Sequence, residues 1–239
     1  MNIKTIKAIY FKELKSFFYS PLAYIVITLF LIILGWFFTA TLFINNGEAS
    51  MRSAFSYIPI LFLVFVPAIT MRTIAEEKKS GTFELLVTMP IFDSEIIIAK
   101  YLASLSLIMA AVFGTLVYLI TLTSMGNLDG GEVFGGYLGL FLMGGAYVSL
   151  GILASSLTEN QIIAFILAFV FAFFFFIINK ILMFMPAFLT SFLEYISIDY
   201  HFENIARGVI DTRDVIYYLS LSFLCLFLAT KSLESRQTA

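Results

Sequence analysis

The chain alternates long apolar stretches with short polar segments. Six of the apolar stretches are long enough to cross a bilayer as helices, which takes about 20 residues each. Their predicted bounds are 21–44, 53–71, 96–125, 133–157, 162–185 and 215–230. The third is longer than a bilayer requires, so we expect a helix that is tilted or extends into the cytoplasm, with Lys100 snorkelling to the inner headgroups. The pattern predicts an all-α integral membrane protein in which residues 1–239 form a single transmembrane domain.

A helical period of charge and hydrophobicity precedes the first stretch. Over residues 1–20, apolar residues such as Ile6 and Phe17 fall on one side of a helix, and Lys4 and Lys12 fall largely on another. This pattern is typical of an amphipathic helix in the cytoplasmic interface, the alternative being a charged tail before a membrane span. Because the apolar run that follows is about twice as long as the core of a signal peptide, we predict an uncleaved first helix.

The fourth stretch is rich in glycine. Gly131, Gly135 and Gly139 recur at four-residue spacing. Small residues at that spacing allow helices to approach closely. Packing inside one subunit is the favoured interpretation, and a dimer face is the alternative.

The densest polar segment, residues 72–95, lies between the second and third stretches and reads RTIAEEKKSGTFELLVTMPIFDSE. It predicts two short helices, over 73–79 and 83–88. Gly81 separates them because glycine readily takes the left-handed conformation that closes a helix. Thr82 is then expected to cap the second helix.

Three further residues are expected to mark helix boundaries. Pro90 stops the second short helix, since proline cannot continue it. Asp93 is the expected N-cap of the third membrane helix, and Asp214 that of the sixth. The 72–95 segment is therefore predicted to hold a capped short helix between two others. Because it lies in water between two membrane helices, it is free to meet a soluble partner and to serve as a mechanical handle.

A second polar segment, residues 186–214, separates the fifth and sixth stretches. Its apolar side chains cannot all face water, and its acids cannot enter lipid cheaply, so we expect two amphipathic pieces in an interfacial or re-entrant position. Gly208 is expected to break the second piece. A solvated or merely packed histidine is the favoured interpretation of His201, and a pair with Glu203 or Asp199 is the alternative.

The distribution of basic residues predicts the orientation. Ten of the fourteen lysines and arginines fall in segments that this topology places inside, and four fall outside. Basic residues accumulate in cytoplasmic loops. Both termini are therefore predicted to be cytoplasmic.

Composition excludes several kinds of chemistry. The chain is 61% hydrophobic and 13% charged, with one cysteine and one histidine. An intrachain disulfide and a multi-histidine metal site are therefore impossible within one chain, and no basic patch suits nucleic acid. No phosphate-binding GxxxxGK[ST] motif occurs, so the chain does not hydrolyse ATP by that route. We predict that it is not an enzyme by itself.

Two motifs resemble a known family. The run EEKKSGTFELLVTMP, followed by Lys100, resembles the signature loop of ABC-2 type transporter permeases. The run HFENIARGVIDTRDVIYYLS, residues 201–220, is similar to the corresponding segment of small six-helix permeases of the gliding-motility and nitrous-oxide-reductase-maturation types. The resemblance implies a type V exporter-like architecture, with an N-terminal interfacial helix, a cytoplasmic coupling helix, and outer re-entrant or interfacial helices between spans five and six.

The resemblance also implies which residues act. The coupling helix would insert into a groove of a separate ATPase subunit, through Glu76, Glu77, Lys78, Gly81, Thr82, Glu84, Leu85, Leu86 and Pro90. The outer segment would close an outer gate or dock a companion protein, through His201, Glu203, Arg207, Gly208, Asp211 and Asp214.

The expected partners follow from this assignment. Paired ABC ATPases offer two grooves and one chain offers one handle, so we expect two ATPase copies and a homodimer of this chain. The family places the first and fifth helices at the dimer seam. This chain needs no cofactor, since ATP and Mg²⁺ bind the ATPase.

The remaining expectations concern the setting and the function. The bacterial inner membrane, its lipid and a membrane-anchored companion with a large extracytoplasmic domain complete the expected surroundings. The expected function is export or mechanical work powered by the separate ATPase. The alternatives are an ion-coupled secondary carrier, which usually needs buried charges in mid-membrane, and a passive anchor in a larger machine.

Overall fold

The computed structural model describes residues 2–44, 51–83, 90–126 and 128–237. Regular structure in these ranges is helical. The helices are α1 (Ile3–Tyr19), α2 (Pro21–Ile44), α3 (Arg52–Thr70), α4 (Ala75–Lys79), α5 (Asp93–Gly114), α6 (Leu116–Thr123), α7 (Gly130–Leu157), α8 (Gln161–Ile181), α9 (Ala187–Ile196), α10 (Ile198–Ala206) and α11 (Thr212–Gln237). A short 3-10 turn, Leu182–Phe184, follows α8.

Six helical segments in the described ranges are long and apolar enough to cross a membrane. They are Pro21–Leu42, Ala54–Lys79, Asp93–Thr123, Gly130–Leu157, Gln161–Ile181 and Thr212–Ser235. Their number and order agree with the sequence prediction. The sixth helix is longer than predicted: it is expected over 215–230 but extends over Thr212–Gln237. Polar residues continue that helix beyond its apolar part, so hydrophobicity alone underestimates its length.

The third apolar stretch forms two helices. α5 ends at Gly114 and α6 begins at Leu116, with Thr115 between them. The hydroxyl of Thr115 donates to the carbonyl oxygen of Val112 at 2.6 Å and lies 3.0 Å from the hydroxyl of Tyr137 on α7. The helix break is therefore held by side-chain hydrogen bonds to both α5 and α7.

α7 forms the centre of the bundle. In its most apolar window 83% of the residues are buried inside the chain, against 22% for α2. Its glycines allow the close approach: a Cβ atom at Gly136 would lie 2.1 Å from the ring of Phe55, and one at Gly135 would lie 2.3 Å from the carbonyl oxygen of Ile205. The glycine-rich face therefore packs inside one subunit.

α1 lies against α5 and buries one face, formed by Ile9, Glu13 and Phe17. The hydroxyl of Tyr10 lies 2.9 Å from that of Ser106 on α5. The helix predicted for residues 1–20 is thus present. Its position in a membrane interface stays a prediction.

The 186–214 segment holds two short helices, α9 and α10. They contain ten and nine residues, far fewer than the about 20 that a crossing needs. The side chain of Ser197, between them, accepts a hydrogen bond from the backbone nitrogen of Tyr200 and caps α10. The segment therefore forms two pieces, as predicted, and neither is a membrane span.

Candidate functional site

The first group of predicted site residues lies in the 72–95 segment. α4 covers Ala75–Lys79, and the chain resumes helical structure at Thr82 and Phe83. Thr82 is therefore already helical and does not occupy the cap position predicted for it, while most of the helix predicted over 83–88 lies outside the described residues. Glu84, Leu85 and Leu86 lie outside the described residues, and Pro90 is exposed.

The prediction for Gly81 is confirmed and that for Asp93 is wrong. Gly81 has φ +72°, and its backbone nitrogen donates to the carbonyl oxygen of Lys78 at 3.2 Å, which closes α4 in the left-handed conformation. α5 begins at Asp93 itself. Its N-cap is Phe92, which has extended backbone angles and makes no side-chain cap hydrogen bond. Asp93 is thus in the first helical turn, where its carboxylate favours the positive end of the helix dipole.

Lys100 is the centre of an ion cluster at the base of this segment. Its side chain is 0% exposed, and its Nζ lies 3.0 Å from Oε1 of Glu13 and 2.8 Å from Oε2 of Glu77. It also donates to the carbonyl oxygen of Thr73 at 2.6 Å. The prediction that Lys100 snorkels to headgroups is therefore wrong, because the ammonium donates to Glu13 and Thr73 and forms an ion pair with Glu77 within the fold.

The two neighbouring glutamates of α4 have different surroundings. Glu77 faces inward, with its side chain 15% exposed, and also pairs with Lys12 of α1 at 3.3 Å. Glu76 pairs with Arg72 at 2.8 Å, but these two side chains are 42% and 35% exposed. An exposed pair contributes only about 0–1 kcal/mol. Glu77 therefore fastens the segment, whereas Glu76 remains accessible at its surface.

A side chain of α7 caps the N-terminus of α4, where the N-cap residue Ile74 makes no side-chain cap hydrogen bond. The hydroxyl of Ser155 accepts hydrogen bonds from the backbone nitrogens of Ile74 and Ala75, at 3.2 and 3.0 Å, and donates to the carbonyl oxygen of Met71. Lys78 donates to the carbonyl oxygen of Ser156. The 72–95 segment is thus bonded to α1, α5 and α7. Sequence reasoning identified Lys100 but missed Glu13, Thr73 and Ser155.

A polar cavity of about 280 Å³ separates α1 from the 72–95 segment. Charged side chains line it from both sides, among them Lys12, Glu13, Arg72, Glu76 and Glu77. Beyond the cavity, Lys79, Ser80, Gly81 and Thr82 are all exposed. The segment therefore presents an accessible polar tip on a base that is fixed by buried charges.

The second group of predicted site residues lies between α9 and α11. His201 is 3% exposed, and its Nδ1 lies 2.6 Å from Oδ1 of Asp214. The alternative that it pairs with Asp199 or Glu203 is wrong. Those two carboxylates face α8, where Lys180 lies 2.6 Å and 3.7 Å from them. Residues two positions apart on a helix do not share a face, so His201 meets α11 instead.

The turn between α10 and α11 corrects one boundary and confirms another. Oδ1 of Asp211 accepts from the backbone nitrogen of Arg213 at 2.9 Å and so occupies the cap position predicted for Asp214. Asp214 is in the first turn of α11 and is 4% exposed. Gly208 has φ +84° just beyond the end of α10, as expected of a residue that breaks the helix. Arg207 is exposed, with Nη2 3.8 Å from Glu203.

The two groups lie at opposite ends of α7. A Cβ atom at Gly208 would be 3.1 Å from the backbone of Gly131, and Ser155 at the other end holds α4. The 28 residues of α7 extend over about 40 Å, which exceeds the hydrocarbon thickness of a bilayer. Among the described residues, no group of three or more His, Cys, Asp or Glu side chains is arranged to hold a metal ion.

Comparison with known families decides the identity. A family model described as ABC-2 family transporter protein matches residues 56–231, which is more than half of the chain and includes both groups. The chain belongs to the ABC-2 transporter family. It is therefore a multi-pass membrane protein, the permease subunit of an ABC transporter, and a partner of an ABC ATPase. No curated protein matches the chain. The resemblance to gliding-motility and nitrous-oxide-reductase-maturation permeases stays a prediction.

Proposed function

We propose that this permease converts ATP hydrolysis by a separate ATPase subunit into movement of its membrane helices, for export or for mechanical work. The observation that carries the proposal is the buried cluster around Lys100. It joins α4 to α1 through Glu13 and Glu77, and to the turn after α3 through Thr73. A displacement of α4 is therefore passed directly to several helix ends.

The exposed tip of the 72–95 segment is the proposed contact with the ATPase. Glu76, Gly81 and Thr82 are accessible there, while Glu77 and Lys78 bond inward to α5 and α7. Charge at an accessible tip gives specificity for a complementary groove. Glu84, Leu85, Leu86 and Pro90 follow directly in the chain and belong to the same proposed contact.

The active unit is proposed to contain two ATPase copies and two copies of this chain. In their apolar windows, α2 and α8 bury only 22% and 28% of their residues inside the chain. Trp36 on α2 and Phe174 on α8 are 75% and 58% exposed. These faces are available to a second copy or to lipid. The window of α11 is also only 22% buried, so the family resemblance, and not exposure, selects α2 and α8 as the proposed seam.

The 186–214 segment is the proposed outer gate and docking surface for a membrane-anchored companion with a large extracytoplasmic domain. Glu203, Arg207 and Asp211 are accessible there, while His201 and Asp214 are buried behind them. With the termini in the cytoplasm, this segment lies on the far side of a bacterial inner membrane. A polar surface with both signs of charge suits a protein partner more than hydrocarbon.

The test is a pair of substitutions at Gly81. No atom of the described residues lies within 4 Å of a Cβ built there, so within that part of the chain only the positive φ resists a side chain. Gly81→Val is strained by that φ, whereas Gly81→Asn is the matched control because asparagine tolerates the left-handed region. The readout is ATP hydrolysis by the copurified ATPase in lipid nanodiscs, with and without the permease.

The expected result is that Gly81→Val inserts and folds but reduces ATPase stimulation to the level of the ATPase alone, while Gly81→Asn retains most of it. Full stimulation by Gly81→Val would show that the geometry of the tip does not matter. Failure of any Walker-motif ATPase to copurify would favour a passive anchor instead.

A further inference from the structure

His201 has hydrogen-bond acceptors at both ring nitrogens. Nδ1 faces Oδ1 of Asp214 at 2.6 Å, and Nε2 faces the backbone carbonyl oxygen of Tyr195 at 3.2 Å. The ring is buried, and the ring of Tyr217 stacks on it with centroids 4.0 Å apart. An ionised carboxylate and a backbone carbonyl oxygen accept hydrogen bonds but do not donate them, so with Asp214 ionised both protons in these contacts come from the imidazole.

A neutral imidazole carries one N–H group and satisfies only one of these two acceptors. The doubly protonated ring satisfies both, and its contact with Asp214 has the short distance of a charge-assisted hydrogen bond. We propose that His201 is a proton-operated latch, whose protonated form ties α9 and α10 to the first turn of α11. This inference goes beyond the proposed function and does not depend on it.

Asp214 is the carboxylate that we assign as the counter-ion of the ring. Asp199, on the same helix, is occupied by Lys180 at 2.6 Å and by the side-chain amide of Asn179 at 3.0 Å. The other charged or titratable groups on the surrounding elements are Glu132, Tyr147, Glu194, Tyr195, Tyr200, Glu203, Arg207, Asp211, Arg213, Tyr217 and Tyr218. Oδ2 of Asp214 is buried without a hydrogen-bond partner in the described chain, so the carboxylate depends on His201 for its stabilisation.

Neutral hydrogen bonds also connect the elements that the latch joins. Tyr217 and Tyr218 of α11 donate hydrogen bonds to the carbonyl oxygens of Ile196 and Ile198. These neutral bonds persist at every pH at which tyrosine is protonated. When His201 releases a proton, either the Asp214 contact or the Tyr195 contact is lost. The closed latch holds one proton more than the open latch. It is therefore closed at low pH and opens as pH rises.

The chain contains a single histidine, which makes the protonation state directly measurable. The experiment uses the full chain with ¹⁵N-labelled histidine, purified through a tag without histidine and placed in lipid nanodiscs. Nitrogen NMR spectra are recorded from about pH 5 to about pH 9, on both sides of the ordinary imidazole pKa of about 6.5. We expect both nitrogens to be protonated at the acidic end and one to lose its proton as pH rises.

Asp214→Asn is the matched variant, since asparagine keeps the size and an acceptor oxygen but removes the charge. It is expected to move the imidazolium signal to lower pH. A single neutral tautomer throughout the range in the wild-type chain would overturn the latch, as would identical titration of the wild type and the variant. The wild-type spectra decide the protonation question even where the variant does not fold.

Hydrogen exchange tests the mechanical part. After correction for the intrinsic pH dependence of exchange, the amides of α10 are expected to exchange about tenfold faster once the proton is released, as expected for loss of a hydrogen bond to a charged group. His201→Gln should remove that step. Corrected exchange that is independent of pH in the wild-type chain would show that the histidine titrates without acting as a latch.

Discussion

Replacing Lys100 by methionine tests the ion cluster most directly. Methionine retains an unbranched apolar stem and removes the ammonium, so the change is mainly one of charge. Glu13 and Glu77 then face each other across the vacated position, and the carbonyl oxygen of Thr73 loses its donor. The remaining basic neighbour is Lys12, which lies 3.3 Å from Glu77 and 4.0 Å from Glu13.

The size of the effect follows from the burial of these groups. Removing one partner from a buried ion pair costs about 3–5 kcal/mol, because the other charge stays buried. Lys12 compensates in part, but its side chain is 60% exposed, so we expect a loss near the lower end, about 3 kcal/mol. A chain of this size loses about 2–4 °C in Tm for each kcal/mol. The Tm of Lys100→Met should therefore fall by about 6–12 °C.

The assay is thermal unfolding of the detergent-solubilised permease, followed by the monodisperse fraction that remains after heating. Lys12→Met is the control, since removal of an exposed partner should cost only about 0–1 kcal/mol. The triple variant Glu13→Gln, Glu77→Gln, Lys100→Met should recover most of the lost Tm, because no buried charge is left unpaired and Lys12 is exposed to solvent. A Tm for Lys100→Met within about 2 °C of wild type would refute the reasoning, as would a triple variant less stable than Lys100→Met.

Two further substitutions, each with a control, test the contacts that α7 makes with its neighbours. Gly136→Ala places a Cβ 2.1 Å from the buried ring of Phe55 and should cost about 1–3 kcal/mol. Gly130→Ala meets no atom of the described residues within 4 Å and should leave the Tm unchanged or higher. Equal Tm values for the two variants would contradict the close approach. Ser155→Ala should cost about 1 kcal/mol and speed hydrogen exchange in α4. The control, Ser124→Ala at an exposed position, should change neither the stability nor the exchange in α4. Unchanged exchange in α4 of Ser155→Ala would show that another group supplies the cap.

Features set by short stretches of sequence were predictable. The six spans follow from the length of apolar runs, since the hydrocarbon core imposes a minimum length on a helix that crosses it. Gly81 and Gly208 were recognised as helix ends because a positive φ is a local backbone property that glycine satisfies best. The division of residues 186–214 into two pieces followed from its mixture of apolar and acidic side chains.

The partners of the buried charges were not predictable. Helical periodicity shows which residues share a face, but it does not show which face meets which neighbour. Lys100 is therefore predicted to reach headgroups, and both carboxylates considered as partners of His201 belong to its own helix. One signal was present: Glu13 is the only acidic residue among the first 47, on a helix otherwise rich in lysine. A lone carboxylate in such a helix indicates a fixed cationic partner.

The same limit explains the error at Asp214. Its position near the start of the sixth helix favours an N-cap, and caps are assigned from local sequence. In the fold Asp214 is buried in contact with His201, and Asp211 takes the cap position. A buried tertiary contact outweighs a local preference worth about 1 kcal/mol.

The ionic character of the Lys100 cluster has a physical reason at a membrane surface. An apolar cluster of similar volume would be about as stable, since buried ion pairs seldom add net stability. However, lipid tails can replace apolar contacts between helices, whereas they cannot replace the three oxygen partners of an ammonium ion. Each oxygen comes from a different part of the chain, so the contact fixes one orientation of α1 relative to α4 and α5. We therefore hypothesise that the cluster contributes orientation more than stability. On this reasoning the neutral triple variant keeps its Tm but shows faster hydrogen exchange in α1; wild-type exchange in α1 would assign the orientation to apolar packing instead.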